Sequence, residues 1–285
     1  MRATAQAADA LLDARQHEEP FGTVGHGRLL LRIMEDTFPT ARLADAYFRN
    51  LEQVLRSRPK RARPGRIVIG LGSGRSGSTS LTALLATIPD SCSTHENPPL
   101  IDWTPHEAEV RFHIRRLGML ADHYSVVADV SHWWLNALDT VLEAFPDALA
   151  IGLFRNADKC AQSFMRVKGH GRGSFNHWAP AGNGVWRPSV WDRSYPSYPL
   201  PHDAGTNPDR VKYEMITRYV RDYNDRLKAL ATRRPDRIVL APTEEFGAPA
   251  MQARILRCIG ASGTPLRQKL NARTVDDGMS EAYTF

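Results

Sequence analysis

The chain has 285 residues, 42% hydrophobic and 24% charged, which suits one α/β domain with a sizeable core and insertions. Its net charge of +6 favours an anionic ligand. The cations are scattered apart from residues 56–63, which read as a solvated linker, so nucleic acid is not an expected partner. Three cysteines, Cys92, Cys160 and Cys258, form no C-x-x-C pair, which argues against a disulfide scaffold and a structural zinc site. Residues 1–20 lack the apolar run of a signal peptide, and no stretch approaches the length of a membrane span. A cytoplasmic protein without a membrane partner is therefore expected.

Residues 1–62 read as an N-terminal helical extension. Thr40 is placed to cap a helix whose Leu43, Tyr47, Phe48, Leu51 and Val54 recur at helical spacing. Pro64-Gly65 breaks the chain, and the β-branched run 66–71 (RIVIGL) has the character of a buried parallel strand. A Gly/Ser loop follows, then a helix bearing Leu81, Leu84, Leu85 and Ile88. Further strands are expected at 91–96, 125–130, 149–154 and 237–241. Helices are expected over 133–145 with Ser131 as cap, from the fourth strand to about Lys168, and over 209–232 with Val211, Met215, Tyr219 and Tyr223 on one stripe. This alternation predicts an α/β fold, a mostly parallel central sheet flanked by helices. The segment at about 169–207 is rich in Gly, Pro and aromatics (Trp178, Trp186, Trp191, Tyr195, Tyr198); it reads either as a lid or as a loop packed on its own domain.

The most informative stretch is 70–81 (GLGSGRSGSTSL), between a strand and a helix. Gly74 and Gly77 allow close backbone approach to an anion, and N–H groups at the helix start point at it. Ser76, Ser78, Thr79 and Ser80 add hydroxyls, and Arg75 adds a permanent charge. Gly72 and Gly77 have the spacing of a triphosphatase loop, but Ser78 stands where its Lys is required. Gly72, Gly74 and Gly77 also spell G-x-G-x-x-G, with Glu96 near the place of a ribose-binding acid. A Rossmann-type NAD(P)-binding oxidoreductase is thus the alternative, against which an Arg and four hydroxyls crowd the loop.

Arg75-Ser76-Gly77-Ser78-Thr79 resembles the 5′-phosphosulfate loop of sulfotransferases that use 3′-phosphoadenosine-5′-phosphosulfate (PAPS). Arg155, at the end of the fourth strand, and Ser163, on the following helix, resemble that family's 3′-phosphate motif. Weaker echoes are 128–131 (ADVS), with Val130 at the family's Lys position, and 243–246 (TEEF). Lys269 and Arg273 are the candidates for a C-terminal cofactor loop. The resemblance covers roughly residues 66–260 and implies a P-loop-NTPase-like sulfotransferase fold, with a sulfotransferase domain over 63–285. It implies PAPS as donor, adenosine 3′,5′-bisphosphate (PAP) as product, no metal, and a small-molecule or glycoside hydroxyl as acceptor. In that reading Gly74, Arg75, Ser76, Gly77, Ser78, Thr79, Ser80, Arg155 and Ser163 bind the donor, and Arg75 also stabilises the leaving phosphate. Glu96 is favoured over His95 as the base, by its spacing from Arg75. His132 and Trp133 either line the acceptor site or start a buried helix, and a homodimer is left open.

Overall fold

A strand buried on both faces must be apolar throughout, and the run 66–71 meets that demand. The structure, a computed structural model, describes residues 41–97, 99, 101–168, 179–180, 185–187, 198–199 and 207–266. Thr40, Trp178, Trp191, Tyr195, Lys269 and Arg273 lie outside the described residues. In chain order the elements are α1 (Ala41–Leu55), β1 (Arg66–Leu71), α2 (Ser78–Ala86), β2 (Ser91–His95), α3 (Glu107–Ala121) and β3 (Val126–Val130). A 3-10 turn (His132–Asn136), α4 (Leu138–Ala144), β4 (Leu149–Phe154) and α5 (Ala157–Lys168) follow. Then come β5 (Ala179–Pro180), β6 (Val185–Arg187), β7 (Tyr198–Pro199), α6 (Pro208–Arg233), β8 (Ile238–Pro242) and α7 (Pro249–Ile259).

The main sheet has the order β2-β3-β1-β4-β8, with every pairing parallel. On β1, Ile67, Ile69 and Leu71 join one core, with Val127, Ala150, Trp134, Leu117, Tyr223 and Leu227. Val68 joins the opposite core, with Leu81, Leu84, Leu85, Val130, Ile151, Phe246 and Ile255. The period of two thus places α2 and α7 on one face and α3, α4, α5 and α6 on the other. Within the predicted insertion, β5, β6 and β7 pair antiparallel as a small separate sheet. Helix α1 packs Phe48 on Phe112 of α3, and its Leu55 enters the larger core. No helix among the described residues is long and apolar enough to cross a membrane.

The strand order removes the Rossmann alternative. In that fold the acid-bearing second strand neighbours the first, whereas here β3 separates β2 from β1. The helix expected over 133–145 is broken into the 3-10 turn and α4. Trp133, Trp134 and Leu135 are all buried, and three consecutive large side chains do not share one helical stripe. Ser131 does not cap with its side chain; its hydroxyl is buried without a hydrogen-bond partner among the described residues.

Helices α3 and α7 were missed in the sequence. The buried face of α3 mixes Val110, Leu117 and Leu120 with Glu109, His113 and Arg116, so polar residues interrupt the apolar period. Each has a structural reason to be inside. Glu109 accepts the backbone N–H groups of Asp102 and His106. Arg116 Nη2 donates to Asp129 Oδ2 of β3, an ion pair wholly within the core.

His113 Nε2 donates to the Pro99 carbonyl at 2.8 Å, and burial, reinforced by Arg116, pushes its pKa down to about 3. The unfolded chain protonates this imidazole near pH 6.5, the folded chain only near pH 3. Its contribution to stability is therefore complete above pH 6.5 and is lost as the pH falls from there toward 3. Urea unfolding should show a loss of about 1.4 kcal/mol per pH unit from this group, a slope missing in His113→Phe. An identical slope in that variant would contradict the assignment.

Candidate functional site

Every strand of a parallel sheet ends on the same edge, and here each delivers residues there. β1 leads into the loop 72–77, β2 into Glu96, β3 into His132, β4 into Arg155 and β8 into Thr243.

The loop is built on left-handed backbone. Gly74 has φ 82°, Arg75 51° and Gly77 95°. A Cβ on Gly74 would come within 2.9 Å of Phe164 Cζ, so glycine answers both a torsional and a steric demand. The loop carbonyls are held from outside. Cys160 Sγ donates to Gly74 O at 3.1 Å, Arg155 Nη1 to Arg75 O at 2.8 Å, and Thr243 Oγ1 to Ser76 O at 2.6 Å. In a trans peptide the next N–H points opposite to the carbonyl, so the amides of Arg75, Ser76 and Gly77 face away from these donors. Gly77 caps α2 without any side-chain hydrogen bond to the first turn. The Ser76 hydroxyl is fully buried without a partner among the described residues. This is a nest of donors suited to an anion.

The two predicted donor motifs meet here. Arg75 Nε donates to Ser163 Oγ at 3.3 Å, and Arg155 reaches the Arg75 carbonyl. Positions 75, 155 and 163, distant in sequence, thus form one cationic and hydroxylic corner. Among the described residues no carboxylate forms an ion pair with Arg155. Of the other predicted binders, Ser78 and Thr79 are half-buried at the start of α2, and Ser80 is buried.

His95 and Glu96 turn to different places. His95 Nε2 lies 2.9 Å from Ser78 Oγ, on the α2 side. Glu96 has φ 48°, a strained value for a side chain of its kind, and its N–H is held by Val130 O at 3.0 Å. Its Oε1 lies 3.7 Å from His132 Nδ1. Its side chain is 41% exposed. A rigid backbone aims it; burial does not enclose it.

Several contributors were not singled out in the sequence. Thr243 was noted only within a family-like turn, yet its hydroxyl also reaches Phe154 O at 3.1 Å and ties the ends of β4 and β8 to the loop. Cys160, beneath the loop, has its thiol pushed up to about 11 by burial. Tyr223 was placed on an apolar stripe, but its hydroxyl reaches the loop. Spacing along one chain carries no signal for such contacts between elements.

No family model and no curated protein matches the chain. Among solved structures, it is similar to a sulfotransferase from Alicyclobacillus acidocaldarius at 16% identity, with 76% of this chain and 88% of that one covered and a TM-score of 0.43. It is similar to the sulfotransferase domain of the Synechococcus PCC 7002 olefin synthase at 16% identity, 73% and 77% coverage and a TM-score of 0.39. A sulfotransferase from Mycobacterium tuberculosis H37Rv matches at 15% identity, 91% and 83% coverage and a TM-score of 0.42. At these values no residue assignment is carried across, and the functional reading rests on the cleft itself.

Gly74→Ala is expected to cost about 1–2 kcal/mol from the left-handed backbone alone, with more from the clash with Phe164. Chemical denaturation measures it, and a neutral effect would show that the loop is not held in this shape.

Proposed function

We propose that this chain is a sulfotransferase that moves a sulfuryl group from PAPS to the hydroxyl of a small molecule or glycoside. The observation that carries the reading is that Arg75 meets Ser163, and Arg155 meets the Arg75 carbonyl, beside a left-handed loop at the start of α2. One anion at a helix N-terminus would need the loop alone. A second cation and hydroxyl, from β4 and α5, suit a ligand with two separate anionic groups, as PAPS has.

In this reading the loop amides and Arg75 hold the 5′-phosphosulfate, and Arg155 with Ser163 holds the 3′-phosphate. Bound there, PAPS supplies the sulfuryl group: the acceptor oxygen bonds to sulfur, the bond from sulfur to the bridging oxygen breaks, and PAP leaves with the electron pair. Arg75 and the amides stabilise the charge that develops on the phosphate, a task for fixed donors. Glu96, aimed by its constrained backbone and facing His132, takes the acceptor proton. His95 steadies the hydroxyl of Ser78 on the donor side.

Calorimetric titration with PAP, with NADH and ATP as controls, tests the donor. Arg155→Ala should weaken PAP binding about 10–100-fold, the usual worth of a charged hydrogen bond. Equal losses for PAP and for adenosine 5′-phosphate would refute the 3′-phosphate assignment. Glu96→Gln should lower turnover about 10²–10⁴-fold with PAP affinity retained. Full activity in that variant would pass the proton-accepting role to His132 or His95.

A further inference from the structure

Two adjacent residues of α6 fasten three parts of the cleft at once. The Tyr223 hydroxyl, on a fully buried side chain, accepts the Gly72 N–H at 3.1 Å and donates to the His132 carbonyl at 2.9 Å. Its one proton and an acceptor position are thus both used, and burial holds the phenol firmly protonated. The next residue, Asn224, donates from Nδ2 to the Arg155 carbonyl at 2.9 Å. Gly72 begins the anion loop, His132 opens the 3-10 turn opposite Glu96, and Arg155 carries the second cation.

We infer that Tyr223 and Asn224 are a pair of positioning residues that set the distances between the donor loop, the acceptor-side His132 and the second anion site. The kinetic part of this inference rests on the sulfotransferase reading; the hydrogen bonds do not. Three backbone groups from three different strand ends converge on one rigid helix of 26 residues. Trp103 and Tyr219 pack around the phenol ring, with centroids 6.2 and 6.1 Å away, so the ring cannot follow if either end drifts. In-line transfer is sensitive to such drift, because a displacement near 1 Å costs about 10²-fold in rate. The two residues divide the work. Tyr223 sets the separation of donor loop and acceptor side, which acts on turnover. Asn224 sets Arg155, which acts on donor affinity.

The test compares Tyr223→Phe and Asn224→Leu with wild type, and uses Tyr213→Phe as the control. Tyr213 lies on the same helix and loses only a 3.2 Å hydrogen bond to Asp158. Three quantities are read: PAP affinity by calorimetry, kcat and KM from PAP release with PAPS and a panel of phenols, alcohols and sugars, and hydrogen exchange at the Gly72 amide. In Tyr223→Phe, Gly72 exchange should rise about tenfold or more over its β1 neighbours. In the same variant kcat should fall about 10–100-fold while PAP affinity stays within about threefold. In Asn224→Leu, PAP affinity should fall about tenfold with Gly72 exchange as in wild type. Unchanged kcat and unchanged Gly72 exchange in Tyr223→Phe would overturn the inference. So would a loss shared equally by the Tyr213 control, or a rise in exchange spread over all of β1, since either marks general loosening. If wild type neither binds PAP nor releases it from PAPS, the donor reading falls, and Gly72 exchange alone decides: faster in Tyr223→Phe supports the link, unchanged refutes it.

Discussion

Between the end of β1 and the start of α2 the chain turns with positive φ at Gly74, Arg75 and Gly77. For Arg75 that backbone costs about 1–2 kcal/mol, so the surroundings must hold it in place. They do so peptide by peptide. α5 supplies Cys160 to the Gly74 carbonyl, the end of β4 supplies Arg155 to that of Arg75, and the end of β8 supplies Thr243 to that of Ser76. At the entrance of the loop, α6 receives the Gly72 amide on Tyr223. Peptide planarity turns the following amides away from these neighbours, the orientation that the proposed anion site needs. Strain in the loop and donor capacity in the cleft are one feature.

The parallel sheet makes such an arrangement available. Its order, β2-β3-β1-β4-β8, puts the loop strand at the centre with β3 and β4 beside it. The ends of β2 and β3, with Glu96 and His132, and the end of β4, with Arg155, therefore lie on opposite flanks of the loop strand. A two-ended ligand can cross the loop from one flank to the other. The same order places Glu96 two strands from β1, too far to serve a nucleotide in the way a second Rossmann strand does.

Charge is handled differently on the two sides of this edge. Below it, Arg116 and Asp129 are buried together and their charges compensate within the core, which fixes α3 against β3. Breaking such a pair by removing one member costs about 3–5 kcal/mol, so it contributes rigidity under β3. At the edge, Glu96 stays 41% exposed and close to His132. It owes its direction to backbone held by Val130, while His113 holds the Pro99 carbonyl three residues on.

The sequence by itself determined what depends on neighbours along the chain. The buried strands at 66–71 and 149–154 were legible because apolar runs of that length have one stable use in such a fold, and the loop because glycines, hydroxyls and an Arg sit between a strand and a helix. The resemblance put Arg75 in one motif and Arg155 with Ser163 in another; in the structure Arg75 Nε reaches Ser163 Oγ and Arg155 Nη1 reaches the Arg75 carbonyl. Helix α3 stayed hidden because Glu109, His113 and Arg116 occupy its buried face, and they read as polar until Asp102, Pro99 and Asp129 are seen beside them. Only the tertiary structure decided that Glu96 faces His132 while His95 faces Ser78, and that Tyr223, Asn224 and Thr243 hold the loop and the strand ends. Those contacts join residues 17 to 167 positions apart, and their partners are mostly backbone groups, which every residue carries and no side-chain pattern can announce.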